Sequence, residues 1–382
     1  MRTTSLLVIG AGPYGLSVAA NAKDHGIQTV VLGRPMEFWR KHMPEGMFLR
    51  SGPDWHLDAA NVHTLEAYLE ERRIAPEEVD PIPVALFIDY AEWFRVSKGL
   101  EVCEGMVAKL TKPHDQFEAV LHSGERIAAH WVVAAPGILY FPNLPQWAAR
   151  VEPERATHTC NLVQFKDLAG ARVLIVGGRQ SAYEWAALIG EAGAERIDIV
   201  HRHPVPAFDR VSWKFVDSHI EDTLQTRGWW RKLRKEDRDA IERRFWEVGR
   251  LTLEWWLVPR MAKKDNIHRW PGIELVEAES GQRDCGEIDV ALSNGERLTA
   301  GYVVFATGYK VDLARVPYLN GLLGRIDTVD GFPMLDESFG SSLRGLYIPG
   351  YAATRDFGPF FGFVKGSAAA ASIIVQDLLS RN

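Results

Sequence analysis

Two stretches of this chain end an apolar, β-branched run on a glycine turn and pass straight into a helical pattern. The first is Leu6-Leu7-Val8-Ile9-Gly10-Ala11-Gly12-Pro13-Tyr14-Gly15, and the second is Val173-Leu174-Ile175-Val176-Gly177-Gly178-Arg179-Gln180-Ser181-Ala182. A continuous apolar run of this length reads as a buried parallel strand. Glycines immediately after it let the chain turn sharply and leave room for a pyrophosphate to approach the amides of the following helix N-terminus. Gly10, Gly12, Pro13, Tyr14 and Gly15 are the candidates in the first turn, and Gly177, Gly178, Arg179, Gln180 and Ser181 in the second, where Arg179 stands in place of the middle glycine.

Each turn is followed later by a matching segment. Phe117 to Gly137 aligns without gaps to Ile288 to Gly308, with nine identical positions, a hairpin turn at Ser123-Gly124 or Asn294-Gly295, and an apolar strand leading into a small-residue turn. The order turn, hairpin, turn, hairpin is an internal repeat of a whole nucleotide-binding unit. It predicts an α/β fold of two Rossmann-like, three-layer dinucleotide-binding domains. Ala135 and Gly137 close the first unit as Thr307 and Gly308 close the second, so these four join the candidate cofactor residues.

The pattern divides the chain into a discontinuous first domain, residues 1–150 and 312–382, and a second, residues 151–311, that carries a mostly helical insertion over 206–272. That insertion holds seven of the 13 tryptophans and 15 Lys or Arg against 11 Asp or Glu, in a chain whose net charge is -6. Spacing of Ile241, Phe245, Val248 and Trp255 predicts a helix within Lys235 to Trp256. Its tryptophans suit a subdomain core, an aromatic wall for an apolar substrate, or a surface that meets a membrane or partner.

The acidic balance argues against nucleic acid as the main partner. Neither a secretory pattern nor an apolar run of transmembrane length is present, so the cytoplasm is the expected location. Cys103, Cys160 and Cys285 are far apart, which excludes a C-x-x-C redox pair and a disulfide framework. No metal site is expected, because the nearest groupings, His201 with His203 and Asp54 with His56 and Asp58, lack ligand spacing.

At the end of the strand Thr29 to Leu32, where a carboxylate commonly grips an adenosine ribose, stands Gly33, followed by Arg34. The matching strand end in the second unit carries Arg202, suited to a 2′-phosphate and hence to NADPH over NADH. Residues 36–63 form a loop too polar for a core and too aromatic for a linker. It contributes Trp39 and Arg40 as cofactor candidates and Arg50, Asp54 and His56 as candidates for contact with a substrate.

With both turns, the repeated hairpins and Ala306-Thr307-Gly308-Tyr309 in view, the sequence resembles the single-component FAD- and NADPH-dependent flavin monooxygenases. These comprise the flavin-containing, Baeyer-Villiger and N-hydroxylating enzymes, and the resemblance spans nearly the whole chain. It implies FAD on the first turn, NADPH on the second, and insertion of one oxygen atom of O2 into a small, apolar or aromatic substrate through a flavin peroxide. It further implies cofactor roles for Val107, Gly350, Phe361 and Gly362. The Phe-x-Gly-x-x-x-His fingerprint of such enzymes is reduced to His158, with Glu152 and Glu154 at its first two positions, and a usual Gly-Asp pair reads Gly350-Tyr351. Two other readings stay open: an NAD(P)H-dependent reductase serving a quinone, protein or small acceptor, and a flavin- or nucleotide-binding module without turnover.

Overall fold

A computed structural model describes residues 2–262, 265–280 and 287–381; Cys285 lies outside them. The run that opens the chain forms strand β1 (Arg2–Ile9), fully buried over its last residues, and the helix Pro13–Asp24 follows the glycine turn. The first sheet has the order β3-β2-β1-β6-β5-β4, with β2 (Thr29–Leu32), β3 (Val102–Cys103), β4 (Val107–Thr111), β5 (Phe117–Leu121) and β6 (Arg126–Ala134). The long strand β6 serves two partners along one edge. Arg126 to Ala129 pair antiparallel with β5, and Val132 and Val133 pair parallel with the short strand Leu346–Tyr347.

That last strand and the helix Gly366–Ser380 return the chain to the first domain. The helix packs along Pro13–Asp24, and Asn21 Nδ2 donates to Ala371 O at 3.1 Å. Ala19, Ala20 and Ala22 on one helix and Ala369, Ala370 and Ala371 on the other are all buried, which keeps the two backbones close.

The second sheet repeats the plan, in the order β12-β9-β8-β16-β7. Its strands are β7 (Ala156–His158), β8 (Arg172–Val176), β9 (Arg196–His201), β12 (Ile267–Pro271) and β16 (Tyr302–Phe305); between β9 and β12 lies a two-stranded pair, β10 (Phe208–Asp209) with β11 (Leu253–Glu254). A separate antiparallel sheet joins β13 (Leu275–Ser280), β14 (Ile288–Leu292) and β15 (Arg297–Ala300). Register confirms the repeat, since Ile9 pairs with Ala134 as Val176 pairs with Phe305. One residue separates the copies: Gly301 stands where the first unit has His130, and there the long strand breaks into β15 and β16. A glycine that loosens strand geometry accounts for the break.

The insertion boundary differs from expectation. Residues 267–271, read as part of the 206–272 insertion, form the edge strand β12 paired in parallel with β9, because their mixed composition hides an exposed edge. β12 occupies the position that β3 holds in the first sheet, so the insertion has a counterpart between β2 and β3. Both units therefore carry a long excursion at the same point.

The two excursions cross over. Trp213, Val216, Trp230 and Phe245 of the second belong to the core of the first domain, while Met47 and Phe48 of the first pack on the core that contains Leu253, Trp256 and Leu257. The tryptophans thus weld the excursion to both domains rather than forming a core of their own. The predicted helix is observed over Lys235–Gly249, with Phe245 buried, but Val248 is exposed and Trp255 lies beyond its end.

The two passages between domains lie side by side. Asn143 N donates to Gly308 O at 2.9 Å and Lys310 N to Phe141 O at 2.8 Å. A methyl on Gly15 would overlap the carbonyl oxygen of Gly10, whereas one on Gly12 would meet nothing within 4 Å. Gly15→Ala is therefore expected to lower the melting temperature by roughly 5 °C or more. Gly12→Ala should leave the melting temperature of flavin-free protein unchanged, and thermal denaturation of both variants checks the contrast.

Candidate functional site

The two glycine turns are built alike. Gly10 (φ +113°) and Gly177 (φ +134°) each run so close to a carbonyl, that of Ala135 and Ala306 respectively, that a side chain would collide with it. Gly137 (φ +68°) and Gly308 (φ +75°) end the paired strands with open space where a side chain would be. Each turn leads into a helix of 12 residues whose N-cap, Gly12 or Arg179, makes no side-chain hydrogen bond to the helix amides. The amide donors and the positive end of the helix dipole remain available for phosphate.

Around the first turn, Met36 N donates to Ala11 O at 2.9 Å and Gly33 N to Cys103 O at 3.2 Å, which draws the β2 and β3 ends onto one rim. Arg34 is exposed and held by Glu37 at 2.5 Å; Arg40 is exposed and donates to Pro35 O. Trp39 packs on Phe87, with ring centroids 4.8 Å apart, and Val107 is buried at the start of β4. Tyr14 reaches across the sheet end, its hydroxyl donating to the carbonyls of Phe361 and, at 2.9 Å, Phe363. Phe361 is fully buried, while Gly350 and Gly362 admit the rings of Tyr14 and Tyr351 at close range. The segment before the last helix is thereby pinned over the first turn.

The three substrate-contact candidates separate. Arg50 is committed: Nε donates to Glu254 Oε1 at 2.7 Å, Nη1 to Gly249 O at 2.5 Å and Nη2 to Thr252 O at 3.0 Å. It clamps one excursion to the other and has little capacity left for a ligand. Asp54 receives Lys365 Nζ at 2.8 Å, and the same ammonium also pairs with Asp217. His56 differs, because its Nδ1 is buried without a hydrogen-bond partner and burial lowers its pKa. Arg50 and Lys365 gain their partners at separations of 204 residues for Glu254 and 311 for Asp54, which no local pattern could disclose.

Gln180, predicted to touch nucleotide, instead spans the excursion and the helix: it accepts from Glu254 N at 3.0 Å and donates to Glu184 Oε2 at 2.7 Å. Ser181 is exposed at the helix start. Glu184 is fully buried and also receives Trp256 Nε1 at 3.3 Å and Arg260 Nη1 at 3.1 Å. A buried polar chain thus runs Arg50, Glu254, Gln180, Glu184, Arg260. Sequence reading missed Glu184 because it falls on an otherwise apolar helix face.

Burial outweighs Arg260 and raises the Glu184 pKa to about 7. Unfolded, the group ionises near 4.5, so between these values the native state binds more protons and stability falls as pH rises. Glu184→Gln removes that dependence. Melting curves should show wild type losing ground to the variant from about pH 5 to pH 7, with the difference level above.

Arg179 turns away from its turn, with its guanidinium 4.0 Å from the ring centre of Trp246. Burial, then the charge of nearby Arg202, lowers its pKa. Arg202 is 80% exposed and pairs loosely with Glu274 at 3.5 Å, a contact easily exchanged for phosphate. Two arginines therefore bring positive charge beside the second turn. Arg179→Gly should weaken NADPH binding about tenfold, measured by anaerobic titration.

Among the described residues no helix is long and apolar enough to cross a membrane. Residues 7–227 match the model of the pyridine nucleotide-disulphide oxidoreductase family. The chain is 24% identical over 412 residues to indole-3-pyruvate monooxygenase YUCCA6 of Arabidopsis thaliana, covering 98% of this chain and 90% of that protein. It is 37% identical over 205 residues to a ferredoxin--NADP reductase of Symbiobacterium thermophilum, covering 51% of this chain and 53% of that one. The ornithine N-hydroxylase of Kutzneria sp. 744, solved with reduced FAD, NADP+ and L-ornithine, superposes with a TM-score of 0.82 at 16% identity over the whole of both chains. The chain belongs to the pyridine nucleotide-disulphide oxidoreductase family, and its fold is that of the two-nucleotide flavin monooxygenases.

Proposed function

We propose that this protein is an FAD-dependent enzyme of the cytoplasm that takes hydride from NADPH and inserts one oxygen atom of O2 into a small, apolar or aromatic substrate. The carrying observation is the pair of matched glycine turns, each with a close carbonyl approach and an uncapped helix N-terminus. The residues present fit both nucleotides. Open space at Gly12 suits the FAD pyrophosphate, and Arg179 and Arg202 suit the phosphates of NADPH. Bound flavin supplies two-electron acceptance and reaction with oxygen.

The chain's own residues bind, orient and exclude water. Tyr14 holds the Phe361 to Phe363 segment over the first turn, and the Arg50 to Glu254 clamp ties the two excursions to each other. His56, its Nδ1 buried without a partner and its pKa lowered by burial, is held as an uncharged imidazole next to Trp55, whose ring meets those of Trp213 and Phe363. An internal disulfide between Cys103 and Cys160 is disfavoured as electron acceptor, because both thiols are free and lie in different parts of the fold. The likeness to a ferredoxin--NADP reductase over half the chain keeps one competing reading, electron delivery without oxygen insertion.

Purified yellow protein should bleach on addition of NADPH under nitrogen. With isotopically labelled O2 and a panel of amines, ketones, sulfides and carboxylates, one labelled atom is expected in the product of whichever compound stimulates NADPH consumption. Bleaching followed by electron transfer to quinones or ferredoxin, with no label in any organic product, would establish the reductase instead.

A further inference from the structure

Arg250 follows directly on the helix Lys235–Gly249, and its guanidinium rests over Phe363, 4.8 Å from the ring centre, and beside Phe245 at 5.7 Å. The group is deeply surrounded, yet the residue retains intermediate solvent exposure. Among the described residues no carboxylate lies within ion-pair distance of it, and its side chain donates no hydrogen bond. The other deep arginines at this junction are paired, Arg50 with Glu254 and Arg260 with Glu184 and Glu191. An enclosed cation without a partner is costly. Burial lowers its pKa to about 10, so the charge persists at neutral pH.

Its surroundings fix where a partner would come from. Phe363 is tied to the first turn through the Tyr14 hydroxyl, and Arg250 is close enough to Arg179 of the second turn to feel its charge. The guanidinium thus adjoins the segment pinned over the first turn and senses the arginine that opens the second helix. Trp213, in ring contact with Phe245 at 5.4 Å and Phe363 at 5.5 Å, has a buried Nε1 with no acceptor, a second unmet donor in the same cluster. Arg179, Arg202 and the helix N-terminus already offer positive charge for the nucleotide phosphates, which leaves Arg250 over.

We infer that Arg250 anchors a carboxylate of the substrate, whose apolar or aromatic body lies against Phe363. This deepens the function proposed above and rests on it. A guanidinium fork matches a carboxylate bidentately, and a ring platform beneath it holds the fork in one plane. The substrate class is then an aryl or alkyl carboxylic acid rather than a neutral ketone or an amine.

The test titrates yellow protein with phenylacetate and indole-3-acetate, and with phenylacetamide and indole-3-acetamide, following the flavin absorbance difference. Wild type should bind each acid roughly tenfold or more tighter than its amide. The preference should vanish in Arg250→Gln and survive in part in Arg250→Lys, which keeps the charge but not the fork. Absence of the preference in wild type, or its persistence in Arg250→Gln, overturns the inference. A more than tenfold loss of NADPH affinity in Arg250→Gln with the acid preference intact would assign the guanidinium to the nucleotide and overturn it equally. Anaerobic bleaching of the same wild-type sample by NADPH separates the two levels: protein that bleaches without preferring acids loses only this inference, and protein that does not bleach loses the function beneath it.

Discussion

A backbone approach too close for any side chain, Gly10 against Ala135 and Gly177 against Ala306, is the constraint on which both halves of the molecule depend. It brings the end of the first strand of each unit against the end of its last strand, in the same register. Only at that junction do a helix N-terminus, a glycine turn and a second small-residue turn converge, and convergence of this kind is what binds a pyrophosphate. The long strand β6 and its broken counterpart then place the two passages between domains next to each other.

Much of this was legible in the chain itself. Glycine turns, hairpin dipeptides and apolar strands are local signals, and the alignment of Phe117 to Gly137 with Ile288 to Gly308 turned two ordinary motifs into a repeat. Even the break at Gly301 had a mark, a glycine opposite His130. What stayed hidden was long range. The sequence His268-Arg269-Trp270 does not read as a strand, because an edge strand needs no apolar alternation. Val248 fits the helical spacing yet faces solvent, because the helix buries only the stripe around Phe245.

The site residues show the same division. Candidates defined by backbone demands, Gly10, Gly12, Gly15 and Gly177, lie where the motif puts them. Candidates chosen for side-chain chemistry do not all have that chemistry to offer: Arg50 is spent on Glu254 and two carbonyls, Gln180 on Glu184 and Glu254, and Asp54 on Lys365. Conversely, Arg250 and Glu184 carry no motif. Their significance lies in partners gained or missing across a boundary that only the folded chain creates.

The matched excursions between the second and third strands of each unit have a further meaning. The strand ends and turns are set by local sequence, while the excursions 35–101 and 203–262 each pack onto the opposite domain. Arg50 of one stretch is paired with Glu254 of the other, and the ring of Trp55 meets that of Trp213, so the two stretches are held to each other as well as to the domains. A chimera that exchanged one stretch alone would orphan the Arg50 and Glu254 charges and mismatch the facing tryptophans, so the two are inherited as a unit.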